Sequence, residues 1–409
     1  MPQADLKRST LSGPLLLNAP HRAMFFVGAI LLIAGVTWWL GVLAAVWRGW
    51  AFVAQPLPVG WMHGVVMQYA VLPPFIMGFL LTVFPRWLNT APVPRRVYAA
   101  VFSLILGGTA CLFISICGLP SALPFGLGAM LLGWMVAIAI LGTHLHRQQW
   151  KDVWAKSAWL ALVIGACGLA MILTASLGGP IGWVPAANHL ATFGLLLPVY
   201  FTVAHRMVPF FSSNAIKGYT VVRPLASLVA VWVLSLGHLG FELLDAPAWR
   251  WIADVPMAAL LFWQWLAWQP WKASRPGLLL VLYIALAWLP VSIGFYAIDS
   301  VHQMVSGVGS RALAPLHALT IGFFSAMLVA MVTRVTQGHS GRPLTMGVIP
   351  WLAFVGIQLA TLVRVLAEYA ALPLLWYISA ASLWLLAMAP WVLRALWIYL
   401  TPRRDGAPG

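Results

Sequence analysis

The sequence predicts an all-α polytopic membrane protein with twelve transmembrane helices, and three observations carry that prediction. Hydrophobic residues make up 62% of the 409 and charged residues only 8%, with a mean hydropathy of +0.92. A soluble domain of this length needs a mixed charged surface that such a composition cannot supply. Apolar runs follow one another with almost no polar linker between them, which excludes a soluble multidomain chain. The basic residues fall at the ends of these runs and alternate sharply from one loop to the next.

At about 20 apolar residues per crossing, the helices are expected at 23-46, 62-84, 97-117, 122-143, 156-177, 187-208, 221-243, 250-269, 277-297, 312-335, 345-369 and 373-399. The first follows His21-Arg22. The second opens on Trp61-Met62-His63 and runs to Arg86, while the third begins beyond Arg95-Arg96. The fourth closes on His144, His146 and Arg147, and the fifth opens at Lys156. The sixth ends around Arg206, the seventh begins at Arg223, and Lys272 and Arg275 separate the eighth from the ninth. The tenth closes on Arg334, Arg342 precedes the eleventh, and the twelfth ends at Arg394. Pro73-Pro74, Pro198 and Pro290 lie inside spans, where neighbouring helices can satisfy the freed backbone groups. Tryptophans at span ends, Trp38-Trp39 and Trp61 among them, read as interface anchors without chemistry.

The termini and even-numbered loops hold 19 of the 23 Lys and Arg residues. Odd loops hold Arg48, Arg250 and Arg311, and Arg364 lies within the eleventh helix. The positive-inside rule therefore places both termini in the cytoplasm. Residues 1-22 are expected as a cytoplasmic segment, 23-400 as one twelve-helix transmembrane domain and 401-409 as a cytoplasmic tail. The first twenty residues lack a signal-peptide core, so the amino terminus is expected to be retained. A net charge of +15 spread over helix ends is a topology signal and no footprint of nucleic acid; the partner it implies is the lipid bilayer. Cys111, Cys117 and Cys167 sit in apolar stretches without CxxC spacing, and CxxCH is absent. Neither a disulfide framework nor a thiolate metal site is indicated, and covalent c-type haem is excluded, whereas haem held by side-chain ligands is not.

Orientation sorts the ten histidines by height. His21, His144, His146, His205 and His339 belong to cytoplasmic ends beside Arg or Lys, where solvated or headgroup-contacting roles suffice. The outer five are His63 opening helix 2, His189 opening helix 6, His238 near the end of helix 7, His302 in the loop before helix 10, and His317 in the first turns of helix 10. Four of them stand on four helices at similar depth, in segments nearly free of ionisable groups. Neutral imidazole ligates haem iron and copper, and helix bundles build such sites at one level. Glu242 follows His238 by four residues and shares its face, as a further metal donor or as a partner of Arg250. Asp299 and His302 form a looser outer pair, and Arg364 and Glu368 are expected to pair within the membrane.

Three stretches, GFLLTVFPRW (Gly78 to Trp87), RMVPFFSSNAI (Arg206 to Ile216) and HALTIGFFSAMLVAMVTRVTQGHSGRPL (His317 to Leu344), resemble the NnrS family of bacterial haem- and copper-containing membrane proteins linked to nitric oxide stress and denitrification. The usual WHxHE pattern of that family is here Trp61-Met62-His63-Gly64-Val65, with one histidine and no glutamate. MHGVVMQYAVLPPFIMGF (Met62 to Phe79) is also similar, more distantly, to helix 2 of the catalytic subunit of haem-copper oxidases and nitric oxide reductases. That likeness implies a haem-copper-oxidase-like bundle, with His63 and His317 as the axial ligands of a low-spin haem, haem b by expectation. It also implies His189 and His238 as ligands of a second metal, with copper and the additional donors His302 or Glu242 as options. Pro315, the single His238 and Phe193 depart from the oxygen-reducing pattern.

The leading function is thus a haem protein of the bacterial cytoplasmic (inner) membrane, a nitric oxide-linked oxidoreductase being one form of it. It would bind, reduce or pass electrons to nitric oxide or another small diatomic, with electrons from quinol or a protein donor. Broken helices leave open a transporter or channel, and the histidines leave open a chaperone that carries haem or copper.

Overall fold

The computed structural model describes residues 15–308 and 313–406. It is all-helical among these residues, as expected. Eleven helices are long and apolar enough to cross a membrane: α1 Pro20–Arg48, α2 Val59–Trp87, α3 Arg95–Ile116, α4 Pro120–Arg147, α5 Val153–Ser176, α6 Trp183–Ala215, α7 Leu225–Leu243, α9 Gly277–Ser306, α10 Leu313–His339, α11 Val348–Tyr369 and α12 Pro373–Leu400. The remaining expected span forms α8, Trp251–Ala267, a helix of 17 residues at the short end of what crosses a bilayer. Of the terminal segments, residues 1–14 and 407–409 lie outside the described residues, as does the expected outer-loop Arg311.

Ends deviate from expectation where local chemistry decides. α1 begins three residues early because Pro20 occupies its first turn, where a missing N–H costs nothing. α9 runs on to Ser306 and ends at Gly307 in the left-handed conformation, so His302 stands on the last turns of a helix and not in a loop.

Most helices pack on their sequence neighbours, α3 packs chiefly on α4 and α1, and α12 returns to α1 to close the bundle. Three helices sit inside it. In α2, α6 and α10, 83, 67 and 72% of the most apolar window is buried, against at most 56% elsewhere. Each inner helix opens on a histidine, His63, His189 or His317, and each continues into a π-helical stretch: Val66–Val71, Ala191–Leu196 and Ala318–Ser325. The first two have a local cause. Pro73-Pro74 and Pro198 remove the N–H groups that would close the next α-turn, and the N–H groups of Leu72 and Leu197 reach five residues back to Met67 and Thr192. In α10 the wide turn holds Gly322, against which Trp288 and Thr361 pack.

Polar bonds join α2 to α6 at the histidine end. Thr192 Oγ1 donates to Gln68 Oε1 at 3.0 Å, Asn188 Nδ2 to the Trp61 carbonyl at 3.1 Å and the Tyr69 hydroxyl to the Ala187 carbonyl at 2.6 Å. Without water these groups must be satisfied internally, so they set the register of the two helices. Gly168 of α5 makes room for this seam: a Cβ there would lie 2.0 Å from the Tyr69 hydroxyl. Gly168→Ala is expected to cost about 1–3 kcal/mol by overpacking, read as a lower unfolding temperature in detergent, and an unchanged midpoint would show that the seam yields freely. Toward the other end, Phe75, Phe79, Tyr200, Met327 and Val335 line an apolar cavity of about 70 Å³ among α1, α2, α6 and α10.

Candidate functional site

Two histidine clusters form at the end of the bundle where α2, α6 and α10 begin. In the first, His63 stacks on Trp39 of α1, ring centroids 4.1 Å apart and planes 20° from parallel. Trp39 therefore does more than anchor at an interface: it fixes the plane of an imidazole. His63 Nδ1 is buried without a hydrogen-bond partner. His317 binds the Leu313 carbonyl, one turn back, through Nδ1 at 2.7 Å. That bond makes Nδ1 the protonated nitrogen and leaves the Nε2 lone pair outward. His63 and His317 interact electrostatically with each other and with Arg364 of α11. The expected pairing of Arg364 with Glu368 is present; the Tyr377 hydroxyl donates to the same carboxylate at 3.0 Å, and its ring lies 4.0 Å from the guanidinium carbon.

The second cluster joins α6, α7, α8 and α9. Glu242 lies between two imidazoles, with Oε2 3.8 Å from His189 Nδ1 and Oε1 3.6 Å from His238 Nε2. The expected convergence of His189, His238 and Glu242 is thus present. Arg250, 1% exposed, bonds Glu242 and, at 2.9 Å, Asp299 Oδ2, with its guanidinium over the Tyr296 ring. Phe193 stacks on His238 at 3.6 Å, and Tyr296 meets the same ring edge-on. His302 does not join in. It is exposed and bonds Ser306, one turn on.

One residue here escaped the sequence reading. Asp254 of α8 is wholly buried and accepts from His238 Nδ1 at 2.6 Å, so His238 Nε2 is left as the free nitrogen, buried and without a hydrogen-bond partner. It is the one acid in an otherwise apolar span, and that was the available signal. Asp254→Ala is expected to destabilise by about 1.5–3 kcal/mol, the worth of a charged buried hydrogen bond, and Asp254→Asn by less. Equal unfolding midpoints for wild type and Asp254→Ala would remove this dyad from the account.

The donor set suits metals as follows. Among the described residues no group of three or more His, Cys, Asp or Glu side chains is arranged to hold a metal ion. The imidazoles nevertheless have the form of ligands: His317 and His238 each engage Nδ1 and present Nε2, the arrangement in which a bonded second nitrogen orients a metal ligand. In the second cluster Arg250 competes for Glu242, so a cation there would rest first on His189 and His238.

The family model described as NnrS protein matches residues 15–403, nearly the whole chain. The chain belongs to the NnrS family. Membership fits an integral membrane protein connected with nitric oxide, in keeping with the eleven helices long and apolar enough to cross a membrane among the described residues. No curated protein matches the chain.

Proposed function

We propose that this NnrS protein is a haem-bearing protein of the bacterial inner membrane that engages nitric oxide at its periplasmic end, with both termini in the cytoplasm. His63 and His317 are the residues that would hold a b-type haem, and His189 and His238 would offer an optional copper site. The observation that carries this reading is that His63 and His317, half-buried imidazoles on helices far apart in the chain, open their helices at the same end of the bundle and act electrostatically on each other and with one cation, Arg364. When bound, haem would supply one-electron chemistry, and a diatomic would reach the iron by displacing one of the two imidazoles.

The chain's own residues prepare for that group. The Leu313 carbonyl holds His317 in one tautomer, and Trp39 holds the His63 ring in plane. Arg364, tied to Glu368 and Tyr377, is a fixed positive charge beside both histidines, the counter-charge that porphyrin carboxylates require. In the second cluster Asp254 fixes His238, and Glu242 stands between its Nε2 and His189 Nδ1 as a local proton acceptor, moderated by Arg250. An uncharged diatomic partitions into apolar surroundings, and the apolar cavity deeper in the bundle, about 70 Å³, is above the roughly 10–15 Å³ needed to admit one water-sized molecule.

Protein purified after expression with ample haem is expected to show a Soret band that shifts on adding nitric oxide to the reduced form. Elemental assay is expected to find iron, with copper lost first in His189→Ala and His238→Ala. A protein without Soret absorption would refute the haem assignment, and rapid exchange of metal to an acceptor protein would favour a carrier role over a fixed redox site.

A further inference from the structure

The opposite end of the bundle carries a second concentration of unsatisfied groups. There the first turn of α1 meets the last turns of α10 and α12. The rings of His21 and His339 lie 4.3 Å apart, and His21 is 2% exposed with Nδ1 unpartnered. Arg22, beside it, donates Nη2 to the carbonyls of Tyr399 and Thr401 at 2.6 and 2.7 Å, but its Nε is buried without a partner. Arg342 is likewise buried with Nη1 unpartnered, and it interacts electrostatically with Arg22, Arg394 and Arg404. Arg86 acts on both histidines.

Negative charge is scarce there. Asp405 is engaged by Arg403 at 2.9 and 2.6 Å. Among the described residues no carboxylate forms an ion pair with Arg22, Arg86, Arg342, Arg394 or Arg404. Like charges held close in a poorly solvated pocket repel, and orphaned N–H groups cost free energy, unless an anion compensates both. The tail encloses the pocket: the Arg404 N–H binds the Ser340 carbonyl at 3.2 Å, and Asp405 lies against Gly341, whose φ of 65° turns the chain. The crowded guanidiniums disfavour a metal cation between the two imidazoles, and rings 4.3 Å apart leave no room for a porphyrin plane.

We propose that this pocket is a binding site for a phosphate-bearing anion, either a lipid phosphodiester headgroup or free inorganic phosphate. Arg22 Nε and Arg342 Nη1 are its principal donors and His21 Nδ1 the third. Guanidinium forks match phosphate oxygens, and basic pockets between membrane helices take phospholipid headgroups. The inference is independent of haem.

The test uses full-length protein delipidated in an uncharged detergent. Inorganic phosphate is titrated by calorimetry, and native mass spectrometry measures retention of phosphatidylglycerol from nanodiscs that contain it as a minor component in phosphatidylcholine. Saturable binding of at least one is expected, weakened roughly tenfold or more in Arg342→Gln and in His21→Leu by loss of one charge-assisted or buried hydrogen bond. Arg147→Gln, exposed at the end of α4, is expected to bind as wild type. Binding of phosphatidylglycerol alone identifies the lipid as the source, and of phosphate alone the free anion; either supports the site. Saturable binding of neither, or equal binding by wild type, Arg342→Gln and His21→Leu, overturns it.

Discussion

Replacement of His63 or His317 by alanine is expected to abolish the low-spin bis-imidazole haem spectrum while the protein still inserts. The two residues enter from α2 and α10, and each has a single held orientation, His63 against Trp39 and His317 through Leu313. Loss of a group that hydrogen-bonds a metal ligand alone costs roughly 10–100-fold in metal affinity, and loss of the ligand itself costs more. Haem content by the pyridine haemochrome assay is therefore expected to fall by more than about a hundredfold for either variant at submicromolar haem. Trp39→Leu, which keeps both ligands, is expected to retain haem with a shifted band. Two alanine variants with wild-type spectra would show that iron, if bound, is held elsewhere. Helical content by circular dichroism separates loss of ligand from loss of fold.

Arg250→Met is expected to produce the largest loss of stability of any single substitution at the histidine end. Arg250 is 1% exposed and serves Glu242 and Asp299 together, with its guanidinium against Tyr296. Methionine fills similar volume but leaves two carboxylates facing each other in a poorly solvated pocket. Removing one partner of a buried ion pair costs about 3–5 kcal/mol, because the desolvation of the stranded charge is no longer offset. The measurement is the thermal midpoint in detergent, with Arg250→Met/Glu242→Gln as the coupled control. The double variant is expected to recover part of the loss, since glutamine strands no charge. A fall as large in the double variant as in the single would show that Glu242 is not the residue Arg250 neutralises.

Much of this was legible before any coordinates. Helix number and alternation follow from apolar length and from the placement of Lys and Arg, properties that each segment carries alone. The pairing of Glu368 with Arg364 is likewise local, one turn of one helix. The common level of His189 and His238 was read from depth and the place of Glu242 on the His238 face from its four-residue spacing, whereas its position between both imidazoles required the packing of α6 on α7.

Other features depend on which helices are neighbours. Asp254 looked like an isolated acid until α8 packed beside α7 and brought it to His238. Trp39 looked like an anchor until α1 packed on α2. His302 shares its outer height with the cluster, yet its exposed place on α9 directs its bonds back to its own helix. His21 and His339, set aside as solvated or headgroup-contacting, lie ring against ring with His21 buried, because α12 and the tail fold over that end. The sequence by itself determined an all-α membrane protein, its crossings and the heights of its ionisable groups, since hydropathy and helical rise are one-dimensional. Only the tertiary structure decided that α2, α6 and α10 are inner helices and which imidazoles face which partners, because rotation about a helix axis is set by packing against neighbours far away in the chain.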